Sequence, residues 1–217
     1  MILGRFLLRL TALTAAVFAA APALAHPHVW ITTRSEIVYD SAGGLSMIRH
    51  IWTFDDMFSA YASQGLDTDK DGKLSRAELA PLAETNVSSL KAFDFFTFAA
   101  SDGTAVEFGN PTDYWLEQTG ATLTLHFGLP VKGKAPAEKP LKIEIYDPTY
   151  FIQFAPADRA PAALIGAPAA CGLDVERLRP AEMAASGQLS EAFLGNLTNM
   201  SSFGAQFANR ILVRCRR

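Results

Sequence analysis

The sequence predicts an α+β fold: an antiparallel β-sheet or sandwich with a helix–loop–helix unit inserted near its start. Three observations predict it. Several segments alternate apolar and polar residues at the two-residue period of half-buried strands, and they follow one another directly, which favours antiparallel pairing. The stretch from 55 to 92 breaks that alternation and carries helix-start signals. The composition, 49% hydrophobic with 15 Phe, 5 Tyr and 3 Trp in 217 residues, offers ample core.

The first 25 residues read as an export signal. Arg5 and Arg9 supply positive charge, Leu10 to Ala21 is uncharged and apolar, and Ala23-Leu24-Ala25 is a small-x-small cleavage pattern. An apolar core of about a dozen residues is too short to span roughly 30 Å of hydrocarbon. Cleavage would leave one domain of 192 residues, 26–217, with net charge −5 and no membrane span of its own. The expected location is the periplasm.

Val29–Tyr39 is rich in β-branched and aromatic residues, Asp40–Gly44 is a turn cluster, and Leu45–Phe54 returns, so a hairpin is expected. Asp55-Asp56 would cap a helix running to about Gln64, and Arg76–Ala92 looks helical despite Pro81. Thr97–Phe108 reads as a hairpin around Ser101-Asp102-Gly103. In Thr122–Leu129, the residues Leu123, Leu125, Phe127 and Leu129 share one face, and Thr122, Thr124 and His126 the other. Leu141–Tyr146 alternates in the same way, and Tyr150–Phe154 continues the sheet. Leu189–Leu194 reads as helix and Ile211–Cys215 as a last strand.

A net charge of −3 and a pI near 5.8 argue against nucleic acid as a partner. Catalytic and nucleotide signatures are missing: no Gly-x-Ser-x-Gly, phosphate loop, Rossmann fingerprint or His-Glu-x-x-His. The expectation is a protein that is not an enzyme. Cys171 and Cys215 have no local thiol neighbour, and in an oxidising compartment they read as one structural disulfide.

The sharpest motif runs from Asp67 to Glu78 and fits a twelve-residue EF-hand loop. Asp67, Asp69 and Asp71 place carboxylates at positions one, three and five, and Gly72 permits the sharp turn. Lys73 would offer its carbonyl, Ser75 would act directly or through water, and Glu78 would bind bidentate. A hard cation such as Ca²⁺ takes six to eight oxygens, which is why the loop is so dense in them. Leu74 is the apolar residue that usually meets a partner loop. This chain offers one such loop, so a structural calcium staple is expected over a sensor.

The four histidines are His26, His28, His50 and His126. After cleavage, the His26 amine and ring could chelate one metal, with the His28 ring two residues on. Amine and imidazole nitrogens suit Zn²⁺, Cu²⁺, Ni²⁺ and Co²⁺. Pro27 has no amide proton, which excludes a square-planar site built on deprotonated amides. If Tyr39 faces Leu45, His50 faces Arg34 and His28 faces Asp56, so the two histidines lie about 20 Å apart along the ladder. Asp55 or Asp56, or His126 from another strand, would complete the set.

Several segments together resemble the bacterial family called domain of unknown function 1007. They are His-Pro-His-Val-Trp at 26–30, Trp52-Thr53-Phe54-Asp55, Phe58-Ser59-Ala60-Tyr61, the acidic loop Leu66–Leu79, Asp113-Tyr114-Trp115, Leu123–Phe127, Tyr146–Phe151, Cys171, Gly204–Ala208 and Cys215. The resemblance covers nearly the whole mature chain. It implies a periplasmic component associated with an ABC-type transport system, or with an inner-membrane permease of the nickel/cobalt kind or a zinc-responsive locus. The expectation is therefore a periplasmic accessory protein for Ni, Co or Zn transport, stapled by Ca²⁺. The alternative is a calcium-stapled adaptor that docks on a permease without touching its substrate.

Overall fold

The computed structural model describes residues 28–177 and 204–216. The expected signal segment, His26 and the helix expected at Leu189–Leu194 lie outside the described residues. Within them the protein is mostly β, a curled sheet with two helices. The strands are β1 (Val29–Tyr39), β2 (Leu45–Phe54), β3 (Thr97–Ser101), β4 (Thr104–Phe108), β5 (Thr112–Thr119), β6 (Thr122–Lys132), β7 (Leu141–Ile145), β8 (Ile152–Pro156), β9 (Ala162–Ile165), β10 (Cys171–Glu176) and β11 (Asn209–Cys215). The helices are α1 (Asp56–Ala62) and α2 (Arg76–Leu90), the second followed by a 3-10 segment, Lys91–Phe96. No helix among the described residues is long and apolar enough to cross a membrane.

The sheet runs β10-β11-β7-β3-β4-β6-β2-β1-β8, with β5 also on β6 and β9 also on β1. Most pairings are antiparallel, as the alternation predicts. Two are not: β8 and β9 both run parallel to β1. Asp147 makes this possible. It is 3% exposed, and its carboxylate accepts from Thr149 N–H and Oγ1–H, Phe151 N–H and Ile152 N–H, all at 2.8–3.0 Å. The corner after β7 is thus closed by one side chain, and the chain leaves for the far edge of the sheet without an unsatisfied polar group. Asp147, followed by Pro148, is thus a turn-forming residue.

The β1–β2 register departs from the expected one by a residue. Tyr39 faces Leu45 but Val38 faces Met47, so an irregularity sits beside the turn. Ser46 Oγ donates to Val38 O there at 3.0 Å. One extra residue shifts every later partner. His50 consequently faces Ser35, not Arg34.

The helical region is also corrected. α1 ends at Ala62, and Gly65, at φ +76°, turns the chain before Asp67. The entering helix of an EF-hand therefore does not run into the loop, and the helix–loop–helix unit expected at 55–92 is not formed as such. α2 does begin inside the loop. Ser75 caps it, and Glu78 closes a capping box by reaching back to Ser75. Leu79, Ala83 and Val87, one turn apart, are buried against the sheet.

The core is built on the inner face of β1, β2, β6 and β7: Ile37, Ile48, Trp52, Leu125, Phe127, Leu129 and Ile143 are at most 1% exposed. At the far edge Cys171 faces Cys215 across β10–β11, and the two form the expected disulfide.

Candidate metal centre

The acidic loop folds around its own carboxylates. Asp67 accepts from Gly72 N–H at 3.0 Å, Asp69 from Asp71 N–H at 3.1 Å and Asp71 from Lys73 N–H at 2.8 Å. Each Asp is held by a backbone group two to five residues on, so the chain must curl tightly. Gly72 takes φ +80°, where a Cβ is disfavoured. One oxygen each of Asp67, Asp69 and Asp71 then lies within 4.8 Å of the others. Oxygens that share one Ca²⁺ at about 2.3–2.6 Å each would be separated by no more than about 5 Å.

Asp67 supplies the test of fit. Its Oδ1 is shielded from solvent and has no hydrogen-bond partner. A hidden carboxylate oxygen without a donor costs stability, and a cation held by the three Asp would remove that cost. The residues fit a hard divalent cation.

Glu78 is arranged differently from the bidentate ligand expected. Its Oε1 accepts from Thr68 N–H at 2.7 Å and Thr68 Oγ1–H at 2.8 Å, and its Oε2 from Ser75 N–H at 2.9 Å and Ser75 Oγ–H at 2.8 Å. These donors, Ser75 N–H first, hold its pKa down to about 2. Glu78 is outside the converging group, and Ser75 Oγ serves the helix cap. The structure thus brings together three of the six residues expected of the loop.

The exit of the loop rests on the sheet. Leu74 N–H donates to Gln118 Oε1 on β5 at 3.1 Å. The Arg76 guanidinium lies 4.5 Å from the centroid of Trp115. Trp115 stacks on His126 at 4.5 Å with planes 6° apart, and His126 Nε2 meets Glu117 Oε1 at 2.9 Å. Sequence reading missed this arrangement because it missed β5. Thr112–Thr119 buries only Leu116, so it lacks the alternation that marks a strand.

The histidines separate into three environments. His28 is exposed just before β1; its N–H donates to Phe151 O at 2.9 Å and its ring lies 4.8 Å from that of Phe151. Asp55 is close in the chain path: Oδ1 caps α1 through Phe58 N–H at 2.8 Å, and Oδ2 accepts from Trp30 N–H at 2.9 Å. Asp56 follows in the first turn of α1. His126 is not brought to this end. It faces Ile51, which faces Arg34, six residues along β1 from His28, or about 20 Å at the strand rise. Its place as a fourth ligand beside His28 is corrected by the register.

His50 is 1% exposed, between Trp52 and Phe127. Its Nδ1 lies 3.2 Å from Ser35 Oγ and its Nε2 3.2 Å from Thr97 Oγ1. Thr97 Oγ1 donates to Phe95 O at 2.9 Å, so it accepts from His50 Nε2–H, and Ser35 donates to Nδ1. Both nitrogens are spent inside the core. Burial lowers the pKa to about 3, so the ring is neutral.

The family described as "Protein of unknown function (DUF1007)" matches residues 11–215. An uncharacterized 15.5 kDa protein from the trpE 3′ region of Spirochaeta aurantia is similar to the chain. It is 26% identical over 98 residues, 45% of this chain and 70% of that protein.

Proposed function

The chain belongs to the DUF1007 family, and from that premise we propose a calcium-stapled, non-catalytic metal-handling protein of the periplasm. The single observation that carries the calcium reading is the orphaned Asp67 Oδ1 inside the Asp67–Asp69–Asp71 group. Asp67, Asp69 and Asp71 would hold the ion. The Lys73 carbonyl, Ser75 and Glu78 are the further donors that the loop pattern supplies, and Glu78 would have to give up its hydrogen bonds to Thr68 and Ser75 to join them. The ion supplies charge neutralisation, not chemistry: it lets the loop stay curled while α2 starts and Leu74 and Arg76 dock on β5. Calorimetric titration with Ca²⁺ tests this. Saturable one-to-one binding that Asp67→Asn weakens at least tenfold is expected, and heat-free mixing would dismiss the reading.

A second reading adds transition-metal handling. What favours it is the exposure of His28 at the start of β1, with Asp55 tied to Trp30 two residues on. His26 and His28, with Asp55 or Asp56, would take Zn²⁺, Ni²⁺, Co²⁺ or Cu²⁺ and pass it to an inner-membrane permease. The rival is an adaptor that docks on such a permease and binds only Ca²⁺. Metal titration of a chain beginning with a free His26 amine separates them, because the adaptor has no use for that amine.

A further inference from the structure

A cavity of about 360 Å³ opens on the outer face of the sheet, across β1, β2, β6 and β5. Gly128 on β6 forms its floor; it faces Arg49 on β2 and Thr112 on β5. A Cβ at this position would come 2.8 Å from Met47 Sδ and 3.3 Å from Thr112 O. The position therefore stays bare, and the row of outward side chains has a gap. Arg49 stands on one side of that gap and Asp113 on the other.

A bulge puts Asp113 there. Thr112 faces Gly128 and Trp115 faces His126, so Asp113 and Tyr114 together oppose Phe127. Asp113 takes φ +50°, a region that a single Asp tolerates better than most residues. Bulges re-aim side chains and are over-represented beside binding sites. Among the described residues the Asp113 carboxylate has no hydrogen bond and no ion pair. Arg49 spends only Nη1, on Glu36 Oε2 at 2.8 Å, and its other guanidinium N–H groups are unspent. Two opposite charges thus line one cavity without meeting each other.

The polar inventory selects the ligand. A simple anion would meet two carboxylates, Glu36 and Asp113, and a simple cation would meet Arg49. A molecule that carries both charges satisfies each side: a carboxylate takes the unspent fork of Arg49, and an ammonium takes Asp113. The other polar groups do not alter this choice. His126 spends Nε2 on Glu117 and leaves Nδ1, and Trp115 adds an indole N–H. The ring of His50 is spent in the core between Ser35 and Thr97. Met47 and Ile51, half-buried on the outward side of β2, supply an apolar wall. The volume is within the range of small-molecule sites, about 300–1,000 Å³. We propose that this cavity binds a free α-amino acid with an apolar side chain. Arg49 holds the carboxylate, Asp113 the ammonium, and Met47 and Ile51 the side chain. The site is independent of the acidic loop and of His26 and His28.

The test titrates the full chain with L-leucine in a calorimeter. Expected is saturable one-to-one binding. Leucinamide, which lacks the carboxylate, and 4-methylpentanoate, which lacks the ammonium, should each bind at least tenfold more weakly. Asp113→Asn keeps the shape and the left-handed backbone but removes the charge, and Arg49→Met keeps the stem but removes the fork. Both positions are exposed, so both variants should fold, and each should weaken leucine at least tenfold. Asp113→Asn should leave 4-methylpentanoate no weaker than before, because that compound has no ammonium to lose. No saturable binding of leucine, equally tight binding of either analogue, or unchanged leucine affinity in either variant would each overturn the proposal.

Discussion

The backbone N–H of Leu74 donates to the side chain of Gln118, 44 residues on, at 3.1 Å. A paired EF-hand would spend that group on a second loop. Here β5 takes the partner's place, and Arg76 over Trp115 adds a second contact two residues later. The lone acidic loop is thereby made part of the sheet, and its occupancy should be felt in global stability.

Ca²⁺ should raise the melting temperature. A hundredfold excess over the dissociation constant contributes about 2.7 kcal/mol. Asp67→Asn and Glu78→Gln should both reduce the gain. Gln118→Ala should lower the stability of the loaded protein by about 1 kcal/mol, the usual net worth of one hydrogen bond. Melts in Ca²⁺ and in chelator decide it; coincident curves would count against the staple.

Acid should destabilise the fold through His50. The folded pKa is about 3, below the unfolded 6.5, so the unfolded chain takes up the proton first. Stability from this group is complete above about pH 6.5 and falls as pH drops toward 3, by up to about 1.4 kcal/mol per pH unit. Glu78 acts lower down: its stabilisation is complete above its ordinary value of 4.5 and is lost as pH falls through about 2. Urea midpoints measured from pH 7 to 4 should decline, and His50→Gln, though less stable at pH 7, should decline less steeply. Parallel pH curves for the two proteins would refute the assignment.

Breaking the Cys171–Cys215 bridge should cost stability without changing the sheet. The two are 44 residues apart, for which the chain-entropy account gives about 4 kcal/mol. Cys171→Ser with Cys215→Ser should shift the denaturant midpoint by roughly that free energy while the circular dichroism spectrum stays the same.

Transition-metal affinity should depend on the N-terminal end alone. His28→Ala and acetylation of the His26 amine should each reduce it sharply. His126→Ala should leave it unchanged, since His126 pairs with Glu117 about 20 Å away along the ladder. Glu78→Gln should leave it unchanged as well. Calorimetry on these four forms is the measurement, and tight binding that survives loss of both the amine and His28 would move the site elsewhere.

The sequence by itself determined the local features of this protein. The β1–β2 hairpin, the Thr97–Phe108 hairpin, the long strand from Thr122 and the helix from Arg76 follow from short-range periodicity and from caps such as Ser75 and Asp55. The acidic loop was legible because its Asp67, Asp69 and Asp71 converge through bonds that span five residues or fewer. The disulfide followed from there being two cysteines to pair. Tertiary structure alone decided the rest. The one-residue slip beside Tyr39 moved His50 from Arg34 to Ser35, because a single extra residue re-partners the whole ladder. The parallel β8 and β9, the unread β5, the separation of His126 from His28 and the cavity over Gly128 all depend on which distant segments meet. Strands with few buried residues carry no alternation, and long-range pairing leaves no periodic mark in the chain.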